Sequence, residues 1–382
     1  MTPPRPATPA ASFDAGPAVR IHALDHLRAL AMLAGVLFHA ALAYSPLLGS
    51  YWPAADRENW WGVDALAWLL HLVRMPLFFL VAGYFTASLL ERRGMSGLAR
   101  QRARRILVPF VVAWPLVDGS LALATERAAA AVAHPSPMLR LIRDWLAQPD
   151  PPSLPPRTGH LWFLYYLLLF SVLLWALRTL GWGARLERWM EKGPQHMAWA
   201  LPLLLWPGFM ATGSPHPAPE SLLPEAWALA VFGPFFALGL GLHGRLEWLA
   251  PLQRWLAPGG LLCLGLYALL ADHWTTGATV ARTAWAPALL EALIAAWGTL
   301  VVLLVGLRFL AQPSPVLRYL SASAYWTYLV HLPLLFALQY PLMDLAWPWP
   351  LKFAAAVAAT TTLCLLSFEL LVRRTPLQRF VG

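Results

Sequence analysis

The sequence predicts an all-α integral membrane protein of about ten transmembrane helices, with N- and C-termini in the cytoplasm. Three observations carry that prediction. The 382 residues are 59% hydrophobic and only 12% charged, with a mean hydropathy of +0.55, a balance that no soluble domain of this length needs. Apolar stretches with Trp-rich edges recur along the whole chain. The basic residues between them fall mostly on one side, which explains the net charge of +9 by cytoplasmic loops and not by a nucleic-acid partner.

Residues 1–20, rich in Pro and Ala and without apolar period, read as a disordered cytoplasmic tail. The first span covers about 26–46. It imitates a secretion signal, because Arg20 and Arg28 precede an apolar run and Ala41-Leu42-Ala43 resembles a cleavage site. Its long charged portion, with Asp25 inside it, favours an uncleaved anchor. Further spans are expected at about 62–90, 106–125, 159–179, 196–212, 224–243, 255–272, 285–307, 323–343 and 350–372. The second contains His71, Arg74 and Pro76 and is expected to kink or split. The fifth is short. Assigned in this way, the loops and tails put 19 basic residues on one side and 7 on the other, with Arg28 and Arg74 left in the membrane. Positive-inside then places the loop 91-ERRGMSGLARQRARR-105 and both termini in the cytoplasm. The longest outer loop, 126–158, is a candidate rim or lid. Cys263 and Cys364 fall in apolar segments and read as core residues. Neither a Gly-rich phosphate loop nor a metal motif is present.

Ionisable residues inside spans are expensive and point to function. In 24-LDHLRALAMLAGVLFHAALAYSP-46, Arg28 and His39 lie eleven residues apart, about 16 Å along a helix and within about 20° of one face. Asp25 is placed to pair with Arg28 at i,i+3. His39 reads as a general base or as a helix-bridging polar contact. Arg74, in 74-RMPLFFLVAGYF-85, reads as a cation for an anionic group or as a snorkelling anchor. Arg102, Arg104 and Arg105 read as topogenic charges or as contacts to the phosphates of a donor. His160 and Trp162 open 159-GHLWFLYYLLLF-170, where the aromatics also suit an interfacial belt. Tyr328 and His331 lie within 325-YWTYLVHLPLLF-336 and are candidate substrate contacts. Glu291 sits deep in the eighth span, a candidate substrate contact that requires a partner the sequence does not name.

Taken in order, the Arg-x10-His of the first span, RMPLFFLVAGYF, the basic loop closed by RRILVP, GHLWFL and YWTYLVHLP resemble the acyltransferase type 3 family of membrane acyltransferases, over about 20–380. The details look most like its glucan-modifying branch. That branch has a second His where this chain has Leu332, so no catalytic weight falls on that position. The resemblance implies a transmembrane acyltransferase domain over 21–382 in the bacterial inner membrane. It implies transfer of an acyl group, succinyl in the glucan branch, from cytoplasmic acyl-CoA to a carbohydrate hydroxyl of a periplasmic glucan. Acyl-CoA would then be a co-substrate, with no resident cofactor, and glucan-synthesis proteins are candidate partners. Arg28 and His39 inherit the family's Arg-x10-His and, with Asp25, are the catalytic candidates, His39 as base or acyl carrier. A transporter or flippase of glycans is the rival from another class, since intramembrane His, Arg and Glu suit it too.

Overall fold

A computed structural model describes residues 21–150, 155–182, 194–275 and 284–381. The expected N-terminal tail, and Arg185, Arg188, Lys192 and Arg282 of the charge count, lie outside them. The described helices are α1 (His22–Ala41), α2 (Trp61–Arg102), α3 (Val108–Ala131), α4 (Pro137–Leu146), α5 (Trp162–Thr179), α6 (Pro194–Met210), α7 (Ala226–Leu242), α8 (Leu256–Thr275), α9 (Trp285–Phe309), α10 (Pro315–Leu342), α11 (Trp349–Ser367) and α12 (Gln378–Val381). Among the described residues no strand forms beyond an isolated bridge between Arg157 and Ser221.

Each of the ten expected apolar stretches lies on a helix. Six helical runs are long and apolar enough to cross a bilayer: His22–Tyr44, Trp61–Ala131, Gly159–Thr179, Leu246–Thr275, Trp285–Phe309 and Trp349–Arg373. The second of these is 71 residues long and holds two of the expected stretches. At about 1.5 Å per residue it is far longer than one crossing. The chain is a multi-pass membrane protein. Pro315–Leu342 has the length of a span but carries Arg318, Ser321, Ser323, Thr327, His331 and Gln339. Most of these face protein and not lipid, since Ser321, Ser323, Thr327, His331 and Gln339 are all buried.

The expected kink near Pro76 falls elsewhere. α2 runs through Pro76, and its non-helical residue is Gly94, at φ +63°. That left-handed conformation suits glycine because it has no Cβ. The break leaves the basic residues 95–105 free to take a new direction at the end of the bundle.

The tightest helix pair is α2 against α7. A Cβ on Gly83 would collide with the backbone carbonyl of Phe236, and one on Gly239 with the carbonyl of Leu80. The two glycines therefore serve each other's helix, and this reciprocal small-residue contact lets the backbones touch. Gly239→Ala is expected to cost about 1–3 kcal/mol through overpacking, read as a lowered thermal midpoint in detergent. Gly265, with open space around it, is the control position.

α1 packs along α10 and α2, and α2 also meets α9. α1 and α2 are joined by the short segment 42–60. The C-terminal end of α1 and the start of α2 therefore share one end of the bundle. The start of α1 and the arginine-rich end of α2 share the other. α1, α2, α5 and α10 surround a cavity between these ends.

Candidate functional site

The cavity has a volume of about 470 Å³, within the usual range for ligand pockets. From α1 it takes Arg28, Met32, Gly35, Phe38 and His39, a stripe at helical spacing that makes good the shared face read from the sequence. α2 contributes residues from His71 to Arg92, about 30 Å of helix rise and comparable to the bilayer core. At one end Arg92 and Arg105 are exposed. At the other, His71, Arg74, His160, Trp162 and His331 are all buried. The cavity thus runs from exposed arginines to a cluster of histidines.

Hydrogen bonds fix the tautomers in that cluster. His331 Nδ1 lies 2.9 Å from the Tyr328 carbonyl and 3.0 Å from that of Thr327. Both are acceptors, so Nδ1 carries the proton and Nε2 keeps a lone pair. His39 Nδ1 is 2.9 Å from that Nε2, so it donates. The remaining lone pair of His39 is on Nε2. This chain of backbone carbonyl, His331 and His39 orients an imidazole that can accept a proton or attack a carbonyl. His160 donates from Nε2 to the Tyr328 carbonyl at 3.2 Å, and the Tyr328 hydroxyl donates to the His160 carbonyl at 2.6 Å. These two bonds tie the turn that leads into α5 to α10. His160 Nδ1 is buried without a partner.

Arg74 is 8% exposed. Its guanidinium lies 4.8 Å over the Phe38 ring, and its Nε has no hydrogen-bond partner. A Cβ on Gly35 would come within 2.9 Å of Arg74 Nη1, so Gly35 makes room for the cation beside α1. Arg28 donates from Nη2 to the Ser321 hydroxyl at 2.8 Å and its carbonyl at 3.2 Å, and lies 3.5 Å from Asp25. Asp25 itself does not line the cavity. Arg102 donates to the Thr86 hydroxyl and lines the basic end with Arg92, Gln101 and Arg105.

Two candidates fall elsewhere. Arg104 stacks 5.4 Å over Phe380 and is not part of the wall. Glu291 is held away from the cavity. It accepts from Ser214 Oγ at 2.5 Å and lies 3.5 Å from His216 Nδ1, and Trp274 Nε1 donates to the same Ser214 at 2.9 Å. Its partners come from the irregular segment after α6 and from α8, and it sits in a buried polar network apart from the cavity wall. Sequence reasoning passed over Arg92, Gln101, Ser321 and Tyr325. Ser321, Tyr325, Tyr328 and His331 recur at intervals of three and four, a polar stripe on an otherwise apolar helix that was available as a signal. Among the described residues no group of His, Cys, Asp and Glu is arranged to hold a metal ion.

The family model described as an acyltransferase domain matches residues 21–369. Glucans biosynthesis protein C of Salmonella paratyphi B is 34% identical over 101 residues, and the protein of that name from Salmonella heidelberg matches equally. Each alignment covers 26% of this chain and 26% of the relative, so the similarity spans about a quarter of the relatives' length. No solved structure matches the chain.

Proposed function

From the premise that this chain belongs to the acyltransferase type 3 family, we propose that it carries an acyl group from acyl-CoA, entering at its basic face, to a hydroxyl of a carbohydrate approaching the opposite face. The acyl group we propose is succinyl and the acceptor a periplasmic glucan. The setting is the inner membrane, with ten spans and both termini cytoplasmic. One observation carries this reading: a single cavity has exposed arginines at one end and an oriented His39 at the other.

The assignments follow from position. Arg92, Arg102 and Arg105 suit the phosphates of the donor, which charge-assisted hydrogen bonds hold well. Arg28 stands about 16 Å along α1 from His39, too far to share a reacting atom with it. It belongs with the body of the donor, and Asp25 and Ser321 position it. The apolar middle of the wall, with Phe78, Phe85 and Ile106, suits the uncharged arm that ends in the thioester. His39 Nε2 takes the proton from the acceptor hydroxyl as the new C–O bond forms and the C–S bond breaks. The proton then passes to the departing thiolate, which leaves as CoA–SH. The same Nε2 also serves a two-step route, in which it carries the acyl group between the two faces. Isolation of an acyl-enzyme from protein given donor without acceptor selects the second route.

Arg74 is a buried cation beside His39, and a succinyl carboxylate offers it a counter-charge that acetyl lacks. Arg74→Gln is expected to lower succinyl transfer about tenfold or more while acetyl transfer changes little. An unchanged succinyl-to-acetyl ratio would remove Arg74 from this role. The test of the whole reading is release of free CoA by purified protein from succinyl-CoA and acetyl-CoA, with and without a β-glucan. Glucan-dependent release from succinyl-CoA is the expected result. No release from either donor by folded protein overturns it.

A further inference from the structure

His39 is the last residue of α1 to line the cavity, which leaves the side of the imidazole away from the arginines for an acceptor. What lies there is Trp52. Its indole is parallel to the His39 ring, at an angle of 2° and 6.3 Å between centroids, and packs edge-on against Phe336 at 5.2 Å. Trp52 comes from the segment 42–60 at the end of the bundle opposite the arginines. Its Nε1 is buried and has no hydrogen-bond partner. One turn along α10 from Phe336, Gln339 donates from Nε2 to the carbonyl of Ala40 at 3.0 Å, the residue next to His39. Gln339 is 2% exposed, and its Oε1 is likewise buried and unpartnered.

An unpaired donor and an unpaired acceptor in an apolar layer are each costly. A sugar carries several hydroxyls, each of which donates and accepts, so one such ligand supplies a partner to each. An indole face is also a good platform for the C–H face of a sugar ring, because it is large, rigid and apolar with one polar edge. We propose that the acceptor sugar is received between Trp52 and Gln339 on the far side of His39, and that Trp52 covers the imidazole there until the sugar arrives. The proposal rests on the acyl-transfer reading above. The cover has a chemical purpose. Water that reached His39 with a thioester in place would take the acceptor's part: its oxygen would bond to the acyl carbon, the C–S bond would break, and free acid and CoA–SH would leave.

Two arms test this. In the first, purified protein is assayed for acceptor-independent hydrolysis and for glucan-dependent transfer. Trp52→Ala is expected to raise hydrolysis about tenfold and depress transfer. Trp52→Phe, which keeps the cover and loses the N–H, is expected to keep hydrolysis low and raise KM for the glucan. Gln339→Leu is expected to raise the same KM, with KM for acyl-CoA unchanged. Folded variants that leave hydrolysis and glucan KM at wild-type values overturn the proposal. The second arm needs no activity. His39→Cys is introduced with Cys263 and Cys364, both buried, replaced by Ala. A membrane-impermeant maleimide is applied from the face opposite the arginines. Labelling is expected only when Trp52→Ala is added. Equal labelling with Trp52 present or absent sinks the cover, even if the wild-type chain transfers no acyl group. Absence of transfer alongside the expected labelling sinks the function and keeps the cover.

Discussion

Acyl transfer is expected to fall about 10²–10⁴-fold in His39→Ala, the range that a positioned base contributes, and the protein is expected to remain folded. His39 lines a cavity and makes one side-chain hydrogen bond, to His331, so its removal leaves a single nitrogen unpaired and enlarges a space that already exists. Stability should therefore move by about 1 kcal/mol or less. His331→Phe is the sharper companion. It keeps a ring of similar size but takes away the acceptor of the His39 Nδ1 proton. The imidazole then has no reason to hold its lone pair on Nε2, and transfer should drop about 10²-fold with KM for acyl-CoA little changed. Free CoA release by wild type, His39→Ala and His331→Phe at saturating donor measures both. If His39→Ala keeps more than a tenth of wild-type transfer, the ring is a helix-bridging contact and the base lies elsewhere.

How much of this could be seen in the chain alone depended on whether a residue sat on a regular helix. The α1 stripe was legible because a rise and a rotation convert Arg28 and His39 directly into positions on one face. The partner of His39 was not, because His331 is 292 residues away and periodicity carries no information on which helices adjoin. The choice among arginines failed for a local reason. Gly94 breaks the phase of α2, and the wider helical turn over Ala103–Leu107 shifts it again. Arg92 precedes both breaks and lies five whole turns from Arg74, within reach of a helical wheel, whereas beyond Gly94 periodicity no longer tells which of the arginines at 100–105 face the cavity. Trp52 and Gln339 were beyond reach for the same two reasons, one lying in a segment without period and the other facing it across the bundle.

The segment that carries Trp52 is held by a buried ion pair, and breaking that pair is expected to cost more stability than overpacking at Gly239. Lys352 Nζ lies 2.7 Å from Asp56 Oδ2, with side chains 2% and 3% exposed. Neighbouring bonds run the same way: Asp56 N donates to the Ala43 carbonyl at 2.7 Å, and Trp349 N donates to Glu58 Oε2 at 2.8 Å. The first closes 42–60 on itself, and the second joins the ion pair in fastening it to the start of α11. Removing one member leaves the other charged and dry, so Asp56→Leu or Lys352→Met is expected to cost about 3–5 kcal/mol. The double variant is expected to recover most of that loss, because neither charge then needs a partner. Thermal unfolding in detergent of the two single variants and the double closes the cycle. Additive losses would show that water already reaches the pair. Amide exchange separates a local effect from a global one: in the single variants residues 42–60 should exchange faster before the buried helices do. If Trp52 does cover His39, the same variants should admit water to the imidazole and raise acyl-CoA hydrolysis, although Asp56 and Lys352 touch neither donor nor acceptor. The double variant should reverse both changes together, since one fastening sets both.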